Sequence, residues 1–209
     1  MRRIAGSGTL PGMNATPERS SSGEAGHEAD LIRSAQRGDQ AAFAELVRRY
    51  QRTVYRCAYA LTRSTADADD LSQETFVRAY RALDRFRVGE PMQPWLLRIA
   101  TNLAFSLFRS RKRRPETPIE PLIEAGMQWG VEDDPAEHLA HAEQKQRVNA
   151  AFETLKPEHQ AVLTLRVVQD LSYEEIAQSL NIPVGTVMSR LSRARAELKS
   201  RLVERTGST

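Results

Sequence analysis

The stretch that most constrains this chain runs from Leu171 to Leu202, LSYEEIAQSLNIPVGTVMSRLSRARAELKSRL, and reads as two helices joined by a tight turn. Ser172 followed three residues later by Glu175 is a capping box, in which each side chain satisfies an amide donor left open at a helix start. Ile176, Ala177 and Leu180 then share one face at the helical period. Asn181, Ile182 and Pro183 interrupt that helix, because proline cannot continue an N–H ladder but can open a new helix in its first turn. A second helix is therefore predicted from about Pro183.

In that second helix Val187, Leu191, Ala194, Leu198 and Leu202 form a narrow apolar stripe. At about 100° per residue, Ser189, Ser192, Arg193 and Ala196 point the opposite way, with Arg190 on the flank. Short side chains let a helix approach closely, and arginine can donate two hydrogen bonds to guanine, so this face suits a major groove. An amphipathic hairpin with a solvated basic face is the ordinary alternative. The turn length, together with Arg190, Arg193, Arg195, Lys199 and Arg201 set against Glu197 alone, favours DNA contact.

With 209 residues, of which 40% are hydrophobic, the chain can bury one or two small cores, and its glycine and proline punctuation favours two. The net charge of +3 is too small to diagnose a partner, so its distribution carries the information. Cys57 is the sole cysteine, which excludes an intrachain disulfide or a multi-cysteine zinc site and suits a core thiol. Arg2 and Arg3 precede no continuous apolar run, and no window approaches a membrane span. The expectation is a cytoplasmic protein without membrane insertion.

Residues 1–28 are rich in Gly, Ser and Pro and are expected to be disordered in isolation. Asp30 can cap a short helix that Gly38 ends, and Asp39 can cap the next, where Phe43, Leu46, Val47, Tyr50, Val54, Cys57 and Leu61 keep one stripe. After a turn at Arg63 to Thr65, a third helix carries Leu71, Phe76, Ala79, Tyr80 and Leu83 on its apolar side. Asp67, Asp70, Gln73 and Glu74 share the other side beside Arg78 and Arg81, as a solvated surface or a docking patch.

RFRVGEPMQP is too broken by Gly89, Pro91 and Pro94 to be helical. A fourth helix follows from Trp95, with Leu96, Ile99, Ala100, Leu103 and Leu107 inward and Arg98, Asn102, Phe105 and Arg109 outward. From Arg98 to Arg114 every charge is positive, and cations with an exposed aromatic suit unstacked DNA. Residues 115–137 then gather acids among prolines, an extended linker. The expected fold is all-α: a helical domain at 29–114, the flexible acidic linker, a helix-turn-helix domain at 138–204 and a tail at 205–209.

Three segments, DADDLSQETFVRAYRALDRF, PWLLRIATNLAFSLFRSRKRR and LSYEEIAQSLNIPVGTVMSRLSRARAEL, together resemble bacterial RNA polymerase sigma factors of the sigma-70 family, extracytoplasmic-function group. The resemblance runs from about Asp30 to Leu202. It implies that Asp70, Gln73 and Glu74 dock on the clamp helices of the polymerase's largest subunit. It implies that the loop Phe86 to Gln93 and the next helix open and read the minus-ten element, through Arg87, Met92, Arg98, Asn102 and Arg109. Thr186, Met188, Ser189, Arg190, Ser192 and Arg193 would read the minus-thirty-five element. The linker resembles the segment that threads the polymerase's active-site cleft and RNA exit channel.

Two residues depart from the family pattern: Met188 stands where arginine or lysine is frequent, and Met92 where phenylalanine is. The implied partners are core RNA polymerase, promoter DNA and an anti-sigma factor, with a monomer when free. No catalytic constellation, cofactor or metal site is expected; His138 and His141 are spaced for one helix face but have no cysteine nearby. The alternative is an autonomous helix-turn-helix regulator binding operator DNA as a dimer, which leaves the first domain without a task.

Overall fold

A computed structural model describes residues 21–113, 144 and 146–204, and these are helical or in turns. Helix α1, Ser21–Gln36, begins well before Asp30, which is not its cap. Asp30 lies inside the helix and pairs with Arg33 at 2.7 Å. A tertiary contact holds the earlier turns: the Tyr50 hydroxyl donates to Glu28 at 2.6 Å. Burial and the Glu28 carboxylate push the Tyr50 phenol above its ordinary range.

Gly38, at φ +92°, turns the chain into α2, Gln40–Thr62. The Asp39 carboxylate accepts from the amides of Ala41 and Ala42, the N-cap foreseen from sequence. After Arg63 in a left-handed conformation, Ser64 caps α3, Thr65–Ala82, and a 3₁₀ turn covers Leu83–Arg85. Helix α4, Met92–Arg113, starts three residues earlier than expected. Pro94 falls in its first turn, where no N–H is required.

Helical residues 146–153 form α5. Helix α6, Pro157–Leu163, widens into a π-helical turn at Thr164–Val168 and leads to α7, Tyr173–Leu180, and α8, Val184–Glu204. Both halves of the capping box form: Glu175 N donates to Ser172 Oγ at 3.2 Å, and Ser172 N to the Glu175 carboxylate at 2.8 Å. Asn181, at φ +53°, ends α7. The expected linker, His138, His141 and the tail from 205 lie outside the described residues.

Two apolar clusters hold the helices. One belongs wholly to α1–α4 and the turn before α4, and includes Ile32, Leu46, Val54, Leu83, Met92 and Leu96. The other is continuous across both halves of the chain, joining Cys57, Leu61, Leu71, Leu97 and Leu103 to Leu155, Val162, Leu165, Ile176, Val187 and Leu191. Polar contacts follow the same seam. Arg56 donates to the carbonyl of Val168 at 3.2 Å, and Gln169 to that of Thr53 at 3.3 Å. The Arg63 guanidinium lies 5.1 Å from the centroid of the Phe152 ring. Burial lowers the Arg63 pKa, opposed by the charge of Glu153.

Candidate nucleic-acid interface

Three helices present faces with chemistry to offer. On α3 the inward positions Ala68, Leu71, Thr75 and Ala79 are buried, which turns Asp70 and Gln73 fully outward and leaves Glu74 half-exposed. Glu74 accepts from Arg78 at 2.6 Å, a solvent-exposed pair one helical turn apart. Such pairs are worth about 0.3–0.5 kcal/mol, so a partner can take over the carboxylate at little cost. Asp67 behaves differently. Both its oxygens sit 2.8 Å from Nη2 of Arg111, which ties the start of α3 to the end of α4.

On α4 the apolar stripe of Leu96, Leu97, Ala100, Leu103 and Ala104 is buried and sets Arg98, Asn102 and Arg109 outward, with Phe105 half-buried beside them. Arg109 donates to Ser106 Oγ, which itself donates to the Asn102 carbonyl. Before the helix, Gln36 donates to the carbonyls of Leu83 and Phe86, holding the start of the loop. The Phe86 ring packs 4.8 Å from that of Trp95. Arg87 then projects into solvent.

Met92 does not join this surface. It is 1% exposed within the α1–α4 core, where it packs and presents no surface to a base. The reason is the early start of α4: Met92, Leu96 and Ala100 are successive helical turns on one buried stripe.

On α8, Val187, Leu191 and Ala194 are buried, and the opposite face carries Gly185, Ser189, Ser192 and Arg193 in solvent, with Thr186 and Arg190 half-buried at its edge. Met188 lies out on the flank at 54% exposure. Arg190 and Arg193 make no ion pair among the described residues. Towards the far end, Glu197 accepts from Arg201 at 3.1 Å and sits 2.9 Å from Nδ1 of the buried His159 of α6. That tie, chiefly the hydrogen bond from His159, holds the Glu197 carboxyl below its ordinary range.

Residues 46–114 match the family Sigma-70 region 2, and residues 145–198 match Sigma-70, region 4. The chain is 38% identical over 177 residues to the ECF RNA polymerase sigma-E factor of Salmonella typhimurium, covering 82% of this chain and 92% of the relative. It is 33% identical over 179 residues to the ECF RNA polymerase sigma factor SigW of Bacillus subtilis, covering 82% and 94%. This chain is an ECF sigma factor of the sigma-70 family.

A structural likeness agrees. The sigma factor RpoE of Bartonella quintana, solved in complex with the anti-sigma factor NepR, superposes with a TM-score of 0.61 at 26% identity, over 77% of this chain and 96% of that one. As a sigma factor the protein binds core RNA polymerase and directs promoter recognition.

The sigma factor's fold also exposes Tyr80, which sequence periodicity assigned to the core. Tyr80 is 45% exposed, as is the neighbouring Val77 at 42%, and with Phe43, whose ring meets that of Tyr80 edge-on at 4.9 Å, they line an apolar groove on the α3 face that holds Gln73. The available signal was angular: Gln73, Val77 and Tyr80 repeat at helical spacing on the side away from Leu71 and Thr75. The His159–Glu197 tie had no sequence signal, because its partners are far apart in the chain. Cys57 is a core thiol as read from sequence, and burial pushes it up to about 12.

No helix among the described residues is long and apolar enough to cross a membrane.

Proposed function

We propose that the sigma factor divides its work between two domains, 29–114 and 138–204, which contain the matched regions. Asp70, Gln73 and Glu74 dock on the polymerase, with Val77 and Tyr80 continuing that face. Arg87, Arg98, Asn102 and Arg109 hold minus-ten DNA, with Phe105 available to stack. Thr186, Ser189, Arg190, Ser192 and Arg193 read the minus-thirty-five element. The observation that carries this division is the chemical contrast between the faces. The outward side of α3 is acidic and apolar, that of α4 is basic, and the α8 face consists of short side chains with arginines that make no ion pair among the described residues.

The two promoter elements lie about 25 base pairs apart, on the order of 85 Å at 3.4 Å per pair. The 21 residues of α8 span about 32 Å. Two units that share one apolar seam cannot reach both elements together, so engaging the whole promoter separates them and exposes that seam. The segment that joins them, 114–145, is long enough to permit this, at up to about 3.4 Å per residue. The protein acts in the cytoplasm, without catalytic chemistry of its own, and a proteinaceous anti-sigma factor holds it in reserve.

Run-off transcription from a genomic promoter pool, with and without bacterial core polymerase, tests this reading. New start sites are expected only when both proteins are present. Binding to defined DNA by the protein alone, with no gain in initiation from core polymerase, overturns it.

A further inference from the structure

Met188 is the large apolar side chain most exposed on the N-terminal half of α8, immediately after the fully buried Val187. Its outward neighbours within one turn, Gly185, Ser189 and Ser192, are all short; Arg190 and Arg193 lie more than about 100° round the helix from it, and Arg195 shares its flank only two turns farther on. The Ser189 hydroxyl donates back to the carbonyl of Thr186 at 3.0 Å, which spends its hydrogen inside the helix. The flank beside Met188 therefore offers an apolar probe with little polar competition.

A thioether is at most a weak acceptor and donates nothing. Set against a purine N7 or a guanine O6, it would strip water from an acceptor and return no hydrogen bond. The apolar group that the major groove displays is the C5-methyl of thymine. We propose that Met188 is a specificity-determining residue that reads one thymine methyl at the edge of the minus-thirty-five element. The inference rests on the assignment of α8 to that element.

The test uses holoenzyme assembled from the full chain and core polymerase, bound to promoter DNA in which each minus-thirty-five thymine, on either strand, is replaced singly by deoxyuridine. That exchange removes the methyl and nothing else. One position is expected to lose roughly fourfold in affinity, the factor that burying one methyl-sized group supplies. Holoenzyme carrying Met188→Ala, a change at an exposed position checked for fold by circular dichroism, is expected to bind both bases equally. Met188→Lys is likewise expected to be blind to the methyl.

A wild-type profile with no uridine-sensitive position, or the same sensitivity in Met188→Ala, overturns the proposal. A scrambled minus-thirty-five element serves as the separate control. If scrambling leaves binding unchanged, the assignment of α8 fails; if it weakens binding while uridine does not, only the methyl reading fails.

Discussion

The two helical units of this sigma factor are built from the same material and stabilised differently. The first, α1–α4, owns a complete apolar cluster in which Ile32, Leu46, Val54 and Leu96 are at most 2% exposed. The second, α5–α8, packs α8 against α6 and α7, and its apolar cluster runs on through α7 and the π-helical turn into Cys57, Leu61, Leu97 and Leu103 of the first. Their working faces differ in the same direction. The first unit presents long charged side chains, some tied to one another as in Glu74–Arg78 and Asp67–Arg111. The second presents a helix face of glycine, serine and arginine, with Met188 exposed on its flank. A self-sufficient core suits a unit that must hold a docking face rigid. In the reading proposed above, promoter engagement parts the second unit from this shared surface.

The largest effect expected from this contrast is at the polymerase face. Replacing Asp70, Gln73 and Glu74 together with alanine is expected to abolish core polymerase binding while circular dichroism still reports the native helix content. All three side chains point away from both clusters. Undiminished binding removes the docking assignment and, with it, the functional half of the comparison.

The shared seam makes the next prediction. Leu165 is fully buried in the π-helical turn that meets α2. Leu165→Ala is expected to cost about 2–5 kcal/mol of stability, as large-to-small changes in packed cores do. Unfolding of the free protein, followed by denaturant titration with probes in each unit, is expected to show the second unit melting first in this variant. If both units are lost at the same denaturant concentration in this variant, the first unit's separate cluster confers no independence.

A base contact separates from a phosphate contact at Arg193. Arg193→Ala is expected to cost about 1–3 kcal/mol at a cognate minus-thirty-five element if it makes a bidentate contact to guanine. Fluorescence anisotropy on cognate and random duplexes decides: an equal loss on both makes it a phosphate contact, and the α8 face then only anchors.

The smallest effect concerns the Glu197 tie to His159 and Arg201. Its carboxyl is held below the ordinary 4.5, so the charged form is favoured by folding. The stabilisation is present above the unfolded-state value and is lost as pH falls through the lower folded-state value. Acid titration of the wild type and of Glu197→Gln is expected to show the variant lacking this part of the pH dependence below about 4.5. Identical acid profiles would mean that the tie does not help to hold α8 against α6.

Much of the fold was legible because its signals are local. Asp39 caps α2, Ser172 and Glu175 close their box, and Asn181 with Pro183 separates α7 from α8, each within a few residues. The outward positions of α8 were equally legible, since a helix with Val187, Leu191 and Ala194 inward has little freedom in what it turns outward. The misreadings at Met92 and Tyr80 share another origin. The prolines around Met92 suggested a loop although its spacing to Leu96 and Ala100 was already helical. Tyr80 was placed inward because a tyrosine beside Ala79 is apolar enough for either side.

The sequence by itself thus determined most of the helices, the caps at Asp39 and Ser172, the helix-turn-helix and the family, because capping and periodicity act over a single turn of chain. Only the tertiary structure decided that α1 begins at Ser21 through the Glu28–Tyr50 bond, that Met92 belongs to the core, and that the two units share one seam. Those outcomes depend on surfaces that meet across tens to more than a hundred residues of chain, as Arg56 meets Val168. Burial there is the property of a pair of faces, and neither face carries its partner's address in its own pattern.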